Sequence, residues 1–211
     1  IQPRFVDVRE VQDLLIEKGN SMLYPYSDLL GTPYFIGLQK LSIRGIITAG
    51  DSYSMKLNIK RGELAKILVG SFSIPIYSPS TATFSDVPKS YPYYDYVETI
   101  YKNKMVGGCV LNPLSYCPEL QATNIQLAIL LLRAWTISNP NIIPGELSTP
   151  TYADIAAGSG IKQFTDGLWK NGVKVFCDAS ASKFCPDDLI TKGYAAMFID
   201  NVLKAKMAMQ V

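Results

Sequence analysis

The sequence contains no histidine, and positive and negative charges nearly balance. Histidine is the commonest general base and a frequent metal ligand, so its absence excludes serine–histidine and cysteine–histidine catalysis. The 20 Lys and Arg against 18 Asp and Glu give a formal net charge of only +2. Nucleic-acid-binding domains normally carry a basic excess, so we predict no nucleic-acid partner.

Long apolar runs are also missing. The longest run, LAILLL at 127–132, is far shorter than the ~20 residues that a membrane-spanning helix needs, so we predict no transmembrane segment. The chain opens on Ile1, and its first ten residues lack the apolar core of a secretory signal, so we expect a processed or partial chain. With 48% hydrophobic residues, the chain can bury a substantial core.

A divergent repeat is the most informative feature that is present. Three segments share the order aromatic, small, aspartate, aliphatic: YSDL at 26–29, FSDV at 84–87 and YADI at 152–155. In the second and third copies, two cysteines follow the aspartate at identical spacings, and a proline follows the second cysteine. The first copy has no cysteine, and Asp51 stands at the first cysteine position. We therefore predict units at 24–78, 79–140 and 141–211, preceded by a capping helix within 1–23.

Each unit is predicted to be a helix–loop–helix. In the second unit, Tyr94, Val97 and Tyr101 have helical spacing and predict the first helix. TNIQ at 123–126 reads as a capping box before an apolar stretch, which predicts a buried second helix. Corresponding second helices are expected after 59–63 and 191–194, and an amphipathic helix over 6–18.

The four cysteines have two possible roles. Cys109, Cys117, Cys177 and Cys185 could form a four-thiolate zinc site, but seven residues separate the members of each pair, more than zinc knuckles typically have. The matching offsets favour two local disulfides, Cys109–Cys117 and Cys177–Cys185, in equivalent loops. Disulfides indicate an oxidising compartment. We predict no metal and no cofactor.

The second unit, with FSDV, YDYVETIYKNKMVGG, YCPE and TNIQLAILLLRA, resembles an S-layer homology repeat. The resemblance covers about residues 24 to 205. It implies an all-α fold in which three repeats form a pseudo-threefold bundle. It also implies a non-catalytic module of the cell surface or envelope, whose grooves between repeats bind cell-wall polysaccharide, often bearing pyruvate ketals.

The resemblance points to the first turn of each second helix as the ligand site. The family's arginine at this place can meet a carboxylate in a charge-assisted pair, beside a helix N-terminus that favours anions. Arg61 keeps this arginine, Lys192 replaces it by a point charge, and Asn124 has no charge. The further candidates for glycan contact are Asp28, Asp86, Asp154, Tyr91 and Tyr93.

Other roles stay open for these residues and for the chain. The three aspartates could instead cap the first helix or fix the loop by side-chain to backbone hydrogen bonds. Because only Arg61 is retained, the alternative function is a self-assembling subunit of a surface layer or filament, in which the repeats form a homo-oligomer. A glycan-processing enzyme would need two carboxylates across a cleft, and Asp95 and Glu98 lie on one predicted helix, so we predict no enzymatic activity.

Overall fold

The computed structural model describes residue 32 and residues 34–47, 56–142, 144–149, 151–177 and 180–208. This part of the chain is mostly helical, as predicted. Its six helices are α1 (Phe35–Ile43), α2 (Arg61–Ser71), α3 (Tyr94–Lys102), α4 (Asn124–Ser138), α5 (Lys162–Lys170) and α6 (Lys192–Ala208). One antiparallel hairpin pairs β1 (Val110–Leu111) with β2 (Leu114–Ser115). The expected helix over 6–18, Asp28 and Asp51 lie outside the described residues.

The second helices begin where the sequence predicts, but the expected capping box is wrong. Thr123 precedes α4 in an extended conformation, yet its side chain makes no capping hydrogen bond. Gln126 accepts a hydrogen bond from Arg61 on a different helix instead. At the start of α6, the side chain of Thr191 does accept a hydrogen bond, from the backbone N–H of Tyr194.

The helices pack extensively in three pairs: α1 with α6, α2 with α3, and α4 with α5. The apolar α4 places Leu127, Leu131 and Trp135 in the core with no exposed surface. Between α1 and α6 the backbones approach so closely that a Cβ on Gly37 would lie 2.6 Å from the carbonyl oxygen of Ala196. Glycine is therefore required at this crossing.

Three short extended segments meet just before α2, α4 and α6. Their backbones form a closed ring of hydrogen bonds: Ile59 N–H donates to Ile190 O (2.9 Å), Ile190 N–H to Ala122 O (3.0 Å), and Ala122 N–H to Ile59 O (2.9 Å). A second cyclic set runs from the first N–H of each helix to the neighbouring segment: Arg61 to Leu120, Asn124 to Asp188, and Lys192 to Leu57. The N-termini of the three helices are thereby held beside one another.

None of the helices in the described ranges is both long enough and apolar enough to cross a membrane.

Candidate functional site

The opener aspartates of the second and third predicted units hold the loops that lead to α4 and α6. Both carboxylate oxygens of Asp86 accept backbone N–H groups, from Tyr116 (2.8 Å) and Cys117 (2.7 Å). Asp154 makes the corresponding bonds to residues 184 and 185, at 2.9 and 2.7 Å. Each carboxylate thus fixes the backbone at the end of its loop. These contacts are of the side-chain to backbone kind that the sequence left open.

Two disulfides close these loops. Cys109 is bonded to Cys117 and Cys177 to Cys185, with a Cα–Cα separation of 6.0 Å in both. The matching offsets in the sequence predicted these pairs. With all four sulfurs in disulfides, no cysteine thiolate is left for a zinc ion.

Arg61 lies in the first turn of α2, against the loop of the second predicted unit. Its Nε donates to Tyr116 O (3.1 Å), and its Nη1 donates to Gln126 Oε1 (3.1 Å). The guanidinium carbon stands 4.7 Å from the centroid of the Tyr116 ring, a cation–π distance. In return, the Tyr116 hydroxyl donates to Arg61 O (3.0 Å). These contacts orient the guanidinium of Arg61, which is half-buried as a residue. Its Nη2 makes no hydrogen bond with a described residue.

A carboxylate joins two donors at the start of α2. Glu119 accepts hydrogen bonds from Lys60 Nζ (2.5 Å) and from the Tyr91 hydroxyl (3.0 Å). The same hydroxyl covers the first turn of α2, since a Cβ on Gly62 would lie only 2.3 Å from it. We call Lys60, Arg61, Tyr91, Tyr116, Glu119 and Gln126 the Arg61 cluster.

The charges in the Arg61 cluster support one another. Hydrogen bonds from Lys60 and Tyr91 lower the pKa of Glu119, and the bond to Glu119 raises the pKa of Lys60. Burial, followed by the bond to Glu119, raises the pKa of Tyr91. Burial raises the pKa of Tyr116 to about 12. At neutral pH, Glu119 and Lys60 are therefore charged, and both tyrosines keep their protons.

Asn124 and Lys192, at the positions that correspond to Arg61, make different contacts. The buried Asn124 amide donates to Phe184 O (3.2 Å) and Cys185 O (2.9 Å). Lys192 Nζ lies 2.6 Å from Glu63 on α2, and both side chains are mostly buried. Asn124 is thus part of the fold, and the charge of Lys192 is balanced by a neighbouring helix.

The two candidate tyrosines lie together at the start of α3. Their rings meet edge to face, with centroids 5.6 Å apart, and both residues are half-buried. Tyr93 immediately precedes α3, while Tyr91 reaches across to α2 and Glu119. The structure therefore brings Tyr91 and Arg61 into one cluster, whereas Asp86 is bound to the loop backbone behind it.

The sequence did not reveal the other members of the Arg61 cluster. Lys60 directly precedes Arg61, and Glu119 follows Pro118 in the loop, but they are 59 residues apart in the chain. In the sequence, the two residues are marked only by standing next to a residue of the repeat pattern. Their contact depends on the ring of hydrogen bonds that brings the two segments together, and the spacing of residues in the sequence does not predict that ring.

The carboxylates considered for enzymatic activity do not face each other across a cleft. Glu98 is fully buried and accepts hydrogen bonds from the backbone N–H (2.8 Å) and the hydroxyl (2.7 Å) of Thr83. Asp95 lies on the same helix, α3, where its backbone carbonyl accepts a bond from Thr99. Glu98 therefore anchors the segment before α3.

Comparison with known families gives one match. No curated protein matches the chain. The family model described as the S-layer homology domain matches residues 83–108, which include the FSDV opener, α3 and the two glycines after it. This match covers the opener, first helix and two glycines of the second predicted unit, which are among the residues that carry the resemblance in the sequence. It supports the S-layer homology family for this chain, over residues 83–108.

Proposed function

We propose that this protein is a non-catalytic module of the cell surface or envelope that attaches noncovalently to an acidic cell-wall polysaccharide through the Arg61 cluster. The family match over residues 83–108 supports attachment to cell-wall polymers. The two disulfides are consistent with an oxidising, extracytoplasmic location.

The observation that carries the proposal is the composition of the Arg61 cluster. It combines the Arg61 guanidinium, which is fixed by its hydrogen bond to Tyr116 O, with an ammonium and a tyrosine hydroxyl. All three lie at the N-terminus of an 11-residue helix. Helix N-termini favour anions, and arginine pairs strongly with carboxylates. Because Tyr116 and Gln126 take up Nε and one hydrogen of Nη1, a ligand carboxylate would meet Arg61 at the edge between its two terminal nitrogens.

The wider proposal is a bundle of three units with pseudo-threefold symmetry, divided at the boundaries predicted from the sequence. It is supported by the ring of hydrogen bonds through Ile59, Ala122 and Ile190. In this ring each segment donates one bond to one neighbour and accepts one from the other. Further support comes from Asp86 and Asp154, which make the same two backbone contacts in their respective loops.

We propose that only one of the three corresponding positions binds glycan. The Asn124 amide donates hydrogen bonds to two loop carbonyls, and Lys192 is paired with Glu63. A ligand carboxylate at Lys192 would have to compete with this resident partner. Arg61 has no acidic partner among the described residues, so its charge is available.

Binding to purified wall sacculi tests the proposal. Arg61→Ala removes charge-assisted bonds worth about 1.5–3 kcal/mol, so we expect the affinity to fall about ten- to hundredfold. Lys192→Ala is the matched control, at the same place in the first turn of α6, and should cost less. Asn124→Ala is unsuitable, since it removes two buried hydrogen bonds. Urea denaturation must show that both variants are folded. Equal binding by the wild type and both variants would contradict the proposal.

The alternative, a self-assembling subunit, has one observation in its favour. Apolar side chains are exposed at the hairpin and on the ring segments: Leu57 (57%), Val110 (45%), Leu111 (83%), Leu120 (58%) and Leu189 (48%). Light scattering of the free protein at rising concentration tests this function. Reversible growth in mass without sacculi, together with no wall binding, would favour assembly over attachment.

A further inference from the structure

The Glu119 carboxylate already occupies two side-chain donors of the Arg61 cluster. It receives Lys60 Nζ and the Tyr91 hydroxyl, and its chain neighbours are hydrogen bonded to the first turn of α2. Arg61 N–H donates to Leu120 O, and Gly62 N–H donates to Pro118 O, both at 2.9 Å. The backbone carbonyls on either side of Glu119 therefore take the first two N–H groups of this helix, and the Glu119 carboxylate takes two side-chain donors beside it.

The Lys60–Glu119 contact does little to hold the fold together. Their side chains are 53% and 62% exposed. Exposed ion pairs contribute little to stability, because water and salt screen the charges and two flexible side chains must be ordered. Glu119 can consequently leave its two donors without loss of the core.

In the proposed function, the ligand carboxylate meets the terminal nitrogens of Arg61, two of whose N–H groups already point to Tyr116 and Gln126. Lys60 and Tyr91 are further side-chain donors at the start of the same helix, and both donate to Glu119. A ligand carboxylate that also takes these two donors competes with Glu119 for them.

The corresponding position in the third predicted unit provides a control within the same chain. There Asp187 follows Pro186, as Glu119 follows Pro118, but Thr123 and Ser159 stand in place of Lys60 and Tyr91. Asp187 is exposed and makes no hydrogen bond or ion pair with a described residue. Only Glu119 has both donors.

We propose that Glu119 is a resident competitor that occupies Lys60 and Tyr91 until the carboxylate of an acidic glycan displaces it, and that it thereby sets the affinity of the Arg61 cluster for acidic sugars. This inference rests on the proposed function. A neutral sugar has no anionic group that replaces Glu119 as the counter-ion of Lys60. It leaves the contact in place and gains nothing from its removal.

The experiment measures binding of two synthetic methyl glycosides, one bearing a pyruvate ketal and the other its neutral parent, by calorimetry. Glu119→Gln keeps the size of the side chain but removes its charge. We expect about two- to fivefold tighter binding of the ketal, the range set by an exposed ion pair, and no change for the neutral glycoside. Asp187→Asn, which removes the same charge at the corresponding position, should leave both affinities unchanged.

The outcomes separate this inference from the proposed function. If neither the wild type nor Arg61→Ala binds the ketal, both are overturned. If the wild type binds and Arg61→Ala is weakened while Glu119→Gln equals the wild type, the function stands and the competitor role is wrong. Weaker binding by Glu119→Gln also overturns it, because Glu119 would then assist the ligand. Equal gains in Glu119→Gln and Asp187→Asn would show a general charge effect and overturn it as well.

Discussion

The first helices of the second and third predicted units, α3 and α5, hold the segment before them with different chemistry. In α3, the Tyr94 hydroxyl donates to Pro79 O at 2.9 Å. In α5, at the corresponding position, Lys162 Nζ donates to Leu147 O at the same distance. A phenol and an ammonium thus make one contact in two places.

The carboxylates of these two helices differ in their partners. Glu98 accepts from Thr83 alone among the described residues. Asp166, at the corresponding position, accepts from Thr151, from Leu147 N–H and from the buried Lys162. In both helices the carboxylate accepts a hydrogen bond from a threonine. Among the described residues, only in α5 does a lysine, Lys162, balance the charge of the carboxylate. The repeat preserves hydrogen-bond geometry more closely than residue type.

Removal of the two carboxylates should break this comparison most strongly. Asp166→Ala leaves the Lys162 ammonium buried without its anion, which we expect to lower the free energy of unfolding by about 3–5 kcal/mol. Glu98→Ala leaves only the two donors of Thr83 without an acceptor, so we expect the free energy of unfolding to fall by about 1–3 kcal/mol. Urea denaturation followed by circular dichroism measures both.

A transplant serves as the control for these two variants. Lys162→Tyr combined with Asp166→Glu places the α3 residues in α5, where Thr151 can donate to the new carboxylate. This double variant should be more stable than Asp166→Ala. If it is equally unstable, the two positions are not equivalent.

The disulfides test whether the two loops are equivalent in energy as well as in shape. Each disulfide joins cysteines eight residues apart, and loss of that constraint should lower the free energy of unfolding by about 2–3 kcal/mol. Cys109→Ser with Cys117→Ser should cost the same as Cys177→Ser with Cys185→Ser, measured by urea denaturation. A difference of more than about 1 kcal/mol, beyond the few tenths expected from the denatured state, would contradict equivalence.

The smallest expected effect is the response to acid. Burial alone would raise the pKa of Asp166, but hydrogen bonds from Leu147, Lys162 and Thr151 outweigh it and hold the pKa below its ordinary value. Its contribution to stability is complete above the unfolded pKa of about 3.9 and is lost as the pH falls through the folded value.

We therefore expect the unfolding free energy of the wild type to fall more steeply below about pH 4 than that of Asp166→Asn. Denaturation at a series of pH values measures the slopes. The exposed Asp187→Asn should follow the wild type. Parallel slopes for the wild type and Asp166→Asn would show that Asp166 titrates alike in the folded and unfolded chains.

The sequence predicts features that are local or that repeat at a fixed spacing. The disulfides follow from the equal offsets of four cysteines, and α4 follows from its apolar stretch after Thr123. The capping box at Thr123 is wrong because Gln126 has a stronger donor available, the guanidinium of Arg61. A charged partner 65 residues away overrides a local motif.

The candidate site is harder to predict because its contacts join distant segments. Arg61 could be singled out from its place in the repeat, but its carbonyl partner is 55 residues away. Tyr91 was a candidate for its position alone, and its bond to Glu119 depends on how two loops meet α2. Helical periodicity in the sequence does not predict contacts between such distant segments.

The ring through Ile59, Ala122 and Ile190 has no free end. Linear repeat arrays can grow by stacking and need capping repeats at their termini. Here each of the three segments already has a neighbour on both sides, so the ring has no end to which a further segment could be added. Closure also links Ile59 directly to Ile190, which are far apart in the chain, and such long-range contacts are costly in loop-closure entropy. The number of segments is thus limited by topology, and we expect the ring to fold as one cooperative unit.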